Sequence, residues 1–342
     1  MVLAQEANYY RVRLDPGAGA PVDLLLCTRR ARLMKTKQPV YVGDRVLVTE
    51  VDWQGGRAAI SEVLPRQSLL VKPPIANCNK VLVVFALLEP AFDPVLLSRF
   101  LVCIETEHLK ALVCLNKSDR ATSALRLAVE LRVRGWGYGV CTVSTRTQDG
   151  IDELAQSLDQ GTFVLAGPSG VGKSSLLNAL HPGLKLRVGA VSNKLGRGKH
   201  TTRHVELFAL ESGALVADAP GFSQLDITCP PRDLAGYFPE FRSLSACQFR
   251  DCLHGEEPGC MVRQSGLERY EIYLTFLAET IAHARILQRT GDPEETLKAH
   301  RQVRGAGEKS TIPRLDANYR KPSRRSQRQQ IERDGTGTEE DD

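Results

Sequence analysis

The sequence predicts a multidomain chain. An N-terminal OB-like β-barrel covers residues 1–68, a circularly permuted α/β P-loop domain 69–228, a C-terminal α-helical metal-binding domain 229–300, and a basic then acidic tail 301–342. Three observations carry this reading. Short β-prone runs separated by turn residues fill the chain up to Leu64. From Lys80 the pattern changes to alternating strands and helices around Gly167–Ser174. Cysteines and one histidine then crowd together between Cys247 and Cys260.

Length and composition bound the answer. A chain of 342 residues, 42 % hydrophobic and 25 % charged, accommodates two or three ordinary core-forming domains. The net charge of +5 is small, but its distribution is uneven. Arg301–Arg328 holds nine Lys or Arg against Glu308 and Asp316, and the last fourteen residues hold six acids against Arg333. Such a tail is solvated, and its basic part can meet nucleic-acid phosphates. The start MVLAQEANYYRVR lacks the apolar core of a signal peptide, and the apolar run Val81–Leu88 is too short to span a bilayer. No membrane partner is expected. Nine cysteines, six of them scattered singly, fit a reducing cytoplasm in which a cluster binds metal.

In the barrel, Tyr9–Arg13, Val22–Leu26, Val40–Val48 and Ala58–Val63 read as strands, with Gly55-Gly56 as a turn. Arg29, Arg30, Arg32, Lys35 and Lys37 crowd one loop. An OB-like barrel is the preferred version, and an SH3-like barrel would give much the same pattern. Further on, Val81–Leu88, Ala111–Leu115, Tyr138–Val143 and Thr162–Ala166 read as strands. Pro94–Thr106, Ala121–Arg134 and Ile151–Leu158 read as the helices between them. This rhythm predicts a mainly parallel sheet covered by helices. After Gly221 comes a Pro-rich joint at Cys229-Pro230-Pro231 and then a helix over Glu268–Gln288. No regular structure is expected beyond Gly305.

Gly167-Pro168-Ser169-Gly170-Val171-Gly172-Lys173-Ser174 fits G-x-x-x-x-G-K-[ST]. Glycines let backbone N–H groups close around a β-phosphate, Lys173 brings a point charge to the β- and γ-oxygens, and the Ser174 hydroxyl can ligate Mg²⁺. The strand before the loop and the helix from Ser174 and Ser175 onward supply the needed context, since a helix N-terminus favours anions.

The loop alone does not separate ATP from GTP. Asn116-Lys117-Ser118-Asp119 does, because it follows a buried strand and matches the N-K-x-D guanine reader. A carboxylate at Asp119 can accept from both N1–H and the 2-amino group of guanine, a donor pair adenine lacks. Asn116 would tie the base to the phosphate loop, and the Lys117 stem would cover the purine. Standing alone, Asn-Lys-Ser-Asp is also an ordinary turn. Asp218-Ala219-Pro220-Gly221 matches the D-x-x-G element that holds Mg²⁺ through water and senses the γ-phosphate. Thr201 and Thr202, within GRGKHTTR, occupy the place of switch I, where one of the two hydroxyls completes the Mg²⁺ shell. Val143-Ser144-Thr145 fits the fifth element, which reaches the base through backbone. The order is reversed from ordinary GTPases: the base reader at 116–119 precedes the phosphate loop at 167–174. Phe222 stands where Ras-like enzymes carry a water-orienting glutamine, which predicts slow intrinsic turnover. His200 or His204 is the candidate to position the attacking water, against the plainer reading of solvated switch histidines.

Cys247-x4-Cys252-x-His254-x5-Cys260 offers three thiolates and an imidazole, enough for a closed tetrahedral Zn²⁺ site of structural type. Taken together, the chain from about Tyr9 to Gln288 resembles the RsgA (YjeQ) family of GTPases. The resemblance rests on NKSD standing before GPSGVGKS, on GRGKHTTRH, on DAPGF and on the C-x4-C-x-H-x5-C cluster. It implies an OB fold, a permuted G domain and a zinc domain. It further implies a cytoplasmic, monomeric GTPase in late maturation of the small ribosomal subunit, which binds 16S rRNA and is stimulated by 30S particles. A permuted GTPase of the large subunit and a non-enzymatic RNA-binding scaffold are the alternatives. Intact Lys173, Ser174 and Asp218 disfavour the scaffold.

Overall fold

Alternating burial along the first strands builds a one-sided sheet. The computed structural model describes residues 1–15, 21–35, 38–71, 73–158, 161–184, 205–218, 225–290, 297–299 and 311–313. Strands β1 (Val2–Glu6), β2 (Tyr9–Arg13) and β3 (Leu24–Arg29) turn Val2, Ala4, Tyr10, Val12, Leu25 and Cys27 inward. Helix α1 (Ala31–Lys35) adds Leu33 to the same cluster, and β4 (Val46–Asp52) and β5 (Arg57–Val63) complete the sheet. The order is β1-β2-β3-β5-β4, with β3 and β5 parallel and the other neighbours antiparallel.

The expected strand Val40–Val48 is corrected by tertiary contacts. Gly43 has φ +89°, and a Cβ there would lie 2.0 Å from the Ala76 carbonyl oxygen, so the chain turns to pass a later segment. Asp44 is fully buried beside it. Its carboxylate accepts from Tyr41 N–H at 2.7 Å and from Arg66 at 2.7 and 2.9 Å. The strand therefore begins only at Val46. A short pair, β6 (Leu69–Leu70) and β7 (Ile75–Ala76), leads into the central domain.

There β8 (Lys80–Ala86), α2 (Pro94–Thr106), β9 (Lys110–Asn116), α3 (Ser123–Gly135) and β10 (Gly139–Thr142) follow one another. Next come α4 (Ile151–Ser157), β11 (Thr162–Ala166), α5 (Lys173–Leu180), β12 (Leu207–Ala209) and β13 (Leu215–Asp218). Asp93 starts α2 by accepting from Val95 N–H at 2.9 Å and Leu96 N–H at 3.0 Å, ahead of Pro94 at the first helical position. The sheet order is β10-β9-β8-β11-β13-β12, parallel throughout except for the antiparallel edge strand β12, which the sequence pattern did not disclose. Val81–Ala86 is buried along its whole length, as a parallel strand covered on both faces must be. Leu97, Phe100, Val129 and Val133 cover one face, and Ile151, Leu154, Leu176 and Leu177 the other. Each such side chain contributes roughly 1.5–3 kcal/mol by leaving water. Chain order reverses between β8 and β11, and this is where an open parallel sheet leaves a crevice at its carboxyl edge.

C-terminal to the sheet, 3-10 turns at Pro231–Tyr237 and Pro239–Ser243 precede α6 (Met261–Gln264) and α7 (Tyr270–Thr290). Their core joins Leu234, Phe238, Phe241, Val262, Tyr273 and Phe276 to Val102 of α2. Two units emerge, Met1–Ile281 and Ala282–Asp342. In the second, β14 (Leu297–Ala299) pairs antiparallel with β15 (Thr311–Pro313). No structure was expected beyond Gly305; β-branched Thr311 and Ile312 favour extended backbone, which the polar composition of the tail masks. Among the described residues no helix is long and apolar enough to cross a membrane.

Candidate nucleotide site and metal centre

Strand β9 ends at fully buried Asn116, which links three loops. Its Nδ2 donates to the Val171 carbonyl of the Gly167–Ser174 loop at 2.9 Å, across 55 residues of sequence. Its Oδ1 accepts from Lys117 N–H at 2.8 Å and from Thr145 N–H at 3.4 Å. Lys117 holds φ +62°, and its Nζ donates to the Gly170 carbonyl at 2.8 Å and to the Glu89 carbonyl. Glu89 also pairs with Arg120. Sequence reasoning missed Glu89; the turn-prone Glu89-Pro90 at the carboxyl end of β8 was the available signal.

Asp119 follows on a 3-10 turn, Ser118–Arg120. Ser144, buried at the end of the β10 segment, donates its hydroxyl to Asp119 Oδ1 at 2.7 Å. That bond, aided by Arg146, holds the Asp119 carboxyl below the usual carboxylate range. An ionised carboxylate with one oxygen already oriented is what reading the N1–H and amino donors of guanine requires.

The phosphate loop depends on close backbone approach. A Cβ on Gly167 (φ +137°) would lie 2.1 Å from the Val84 carbonyl oxygen, and one on Gly172 (φ +97°) 2.5 Å from Asn116 Nδ2. Gly170 is also left-handed, at φ +80°. These positions require glycine. Lys173 Nζ donates to the Gly167 and Pro168 carbonyls, both at 2.8 Å, so its charge stays over the loop mouth. Ser174 and Ser175 lie in the first turn of α5, with Pro168, Ser169 and Gly170 in the loop before it and Val171 buried. Asp218 ends β13 in register with Leu165 of β11, the strand that runs into the loop. His200, Thr201, Thr202, His204, Gly221 and Phe222 lie outside the described residues.

The metal cluster closes as its spacing predicts. Cys247, Cys252, His254 and Cys260 bring their ligand atoms within 4.8 Å of one another. His254 Nδ1 lies 3.4, 3.7 and 3.5 Å from the three sulfurs, and Cys247 and Cys260 Sγ are 4.0 Å apart. Tetrahedral zinc with Zn–S near 2.3 Å sets ligand atoms roughly 3.8 Å apart, so the residues fit. Backbone N–H groups of His254, Met261 and Arg263 donate to the sulfurs at 3.3–3.4 Å, which favours thiolates. The Tyr270 and Tyr273 hydroxyls of α7 hold the carbonyls of His254, Gly255 and Leu253.

A carboxylate-bearing base reader bonded side by side with a glycine-rich phosphate loop is the arrangement of guanine-nucleotide hydrolases. Here the two are read in reversed chain order, which makes the molecule a circularly permuted P-loop GTPase. Known proteins agree. The RsgA GTPase family model matches residues 63–228. The chain is 49 % identical to the small ribosomal subunit biogenesis GTPase RsgA of Trichormus variabilis, over 97 % of this chain and 95 % of that one. It is 48 % identical to the protein of the same name from Microcystis aeruginosa, over 97 % and 92 %. YjeQ from Thermotoga maritima superposes with a TM-score of 0.70 at 34 % identity, covering 82 % of this chain and 97 % of that one. YloQ, a circularly permuted GTPase, does so with 0.68 at 33 %, covering 82 % and 94 %. The chain belongs to the RsgA GTPase family and is a GTP hydrolase that works with Mg²⁺.

Proposed function

We propose that this chain is a cytoplasmic, monomeric GTPase of late small-subunit maturation, which binds the 30S particle through 16S rRNA and is stimulated by it. The relatives' names support the subunit. The Asn116–Val171 hydrogen bond is the observation that supports the chemistry, because it ties the end of β9 to the Gly167–Ser174 loop, as one nucleotide spanning both would require.

In this reading Asn116, Lys117, Ser118 and Asp119 select guanine, and Gly167 through Ser175 hold the phosphates. Ser174, Asp218 and one of Thr201 and Thr202 would hold Mg²⁺, which neutralises charge on the β- and γ-oxygens. Water attacks the γ-phosphorus as the bond to the bridging oxygen breaks, leaving GDP and phosphate. His200 or His204 orients that water, and Gly221 senses the γ-phosphate. With Phe222 in place of glutamine, the particle must complete the site. Cys247, Cys252, His254 and Cys260 would hold one structural zinc, which would staple the loop that packs under α7.

For residues 1–68 we propose the OB version of the barrel. A meander whose third strand pairs in parallel with the fifth supports the five-stranded Greek-key form. The domain limits 69–228, 229–300 and 301–342 follow the same reading. GTP turnover measured with and without purified 30S particles tests the function. Strong stimulation is expected; turnover absent under both conditions would leave an RNA-binding scaffold, and co-sedimentation with 50S particles alone would reassign the subunit.

A further inference from the structure

We propose that Arg99 is a positioning residue that couples the nucleotide state of the G domain to the C-terminal helical domain, an inference that rests on the small-subunit reading above. Arg99 stands on α2 with its side chain 23 % exposed. Its guanidinium makes a two-pronged pair with Glu279 of α7, Nη1 to Oε2 at 2.6 Å and Nη2 to Oε1 at 2.5 Å. Nη1 also donates to the Leu225 carbonyl at 3.4 Å. Its plane covers the Phe276 ring, 4.5 Å from Cζ to the centroid.

These contacts belong to three parts of the machinery. Leu225 is four residues beyond Gly221 and seven beyond Asp218, so it lies on the chain leaving the γ-phosphate end. Helix α2 runs from β8 into β9, whose last residue is Asn116. Glu279 sits on the helix whose tyrosines hold the metal loop. One guanidinium therefore touches the phosphate-end chain, the base-end helix and the C-terminal domain.

Other ties hold the domains together without touching Leu225. Arg242 pairs with Glu105 of α2 at 2.7 Å, Trp136 N–H donates to Glu268 at 3.1 Å, and Arg269 sits buried among aromatic rings. They anchor the C-terminal domain on α2 and α3 whatever happens at residue 225. Arg99 is different because a planar fork with five donors serves a carboxylate and a carbonyl at once, which a lysine ammonium cannot do in that geometry. Movement of the Leu225 carbonyl on loss of the γ-phosphate then alters how firmly α7 is held. By linkage, a particle that fixes α7 must bias the nucleotide state by the same factor.

The test uses the full-length, zinc-loaded chain. Affinity for isolated 30S particles is measured with Mg²⁺ and either a non-hydrolysable GTP analogue or GDP, for wild type, Arg99→Lys and Glu279→Gln. Wild type should distinguish the two states by about 5- to 150-fold. In Arg99→Lys the ratio should fall towards one, while GDP affinity, basal turnover and zinc content stay at wild-type values. Glu279→Gln, which keeps the shape but not the charge, should give an intermediate ratio. An unchanged ratio in Arg99→Lys overturns the proposal, and so does equal weakening in both states, the signature of simple domain packing. A wild-type ratio of one overturns the coupling but leaves the small-subunit reading standing. Wild type that binds 30S in neither state overturns that reading and the coupling with it.

Discussion

Asp119 shows how one side chain depends on a neighbour for its orientation. In the function proposed here its carboxylate, oriented by Ser144, is the group that would distinguish guanine from adenine. Asp119→Asn should weaken GTP by on the order of 10- to 100-fold and admit xanthosine nucleotides, read by competition against labelled GDP. Unchanged GTP affinity would remove the base reader from this loop. The pH behaviour has a definite sign. Because the folded carboxyl titrates below its unfolded value of about 3.9, the Ser144 contact contributes fully above that pH and fades only as pH falls through the lowered value. The stability difference between wild type and Ser144→Ala should therefore be constant above about pH 4 and shrink below it in denaturant titrations. Gly172 makes the matching point for backbone. A methyl there meets Asn116 Nδ2 at 2.5 Å with φ at +97°, so Gly172→Ala should cost about 1–3 kcal/mol and weaken nucleotide binding. A thermal midpoint equal to wild type would contradict this.

Among the elements, agreement between pattern and structure follows from how local the signals are. Pro94–Thr106 and Thr162–Ala166 were legible to the residue, because Asp93-Pro94 start the helix and a short, largely apolar strand runs into glycine. Val40–Val48 was not, because Gly43 turns under Ala76 and buried Asp44 is held by Arg66, partners the local pattern does not name. The docking of α7 is likewise non-local. Arg269 is fully buried, bonds Glu240 at 2.6 and 2.5 Å, and lies against Trp136 and Phe238. Arg269→Met strands the Glu240 charge and should destabilise by about 3–5 kcal/mol, whereas replacing both by methionine should recover most of that loss in urea unfolding. If the single and double variants are equally unstable, packing rather than the stranded charge is responsible.

For the molecule as a whole, the permutation and the candidate metal cluster bear on the same C-terminal domain. The chain leaves β13 towards it, and the four-ligand cluster organises the loop between the 3-10 turns and α7. Chelation should release one zinc per chain and speed limited proteolysis after Cys229, while GTP affinity stays within about twofold because no ligand belongs to the nucleotide site. Loss of GTP binding on chelation would show that the two centres are one cooperative structure.

The candidate site motifs stood out in linear order because each is built from contiguous backbone. A phosphate loop needs successive N–H groups and glycines, a base reader needs a strand end followed by Asn and Asp, and a zinc knuckle needs closely spaced thiols. Reversal of the first two along the chain was visible for the same reason. Folding had to settle which distant groups meet, as Gly43 meets Ala76 and Arg99 meets Leu225 and Glu279. Such pairings leave no periodic or local trace, since they arise from how buried surfaces stack once the sheet has closed.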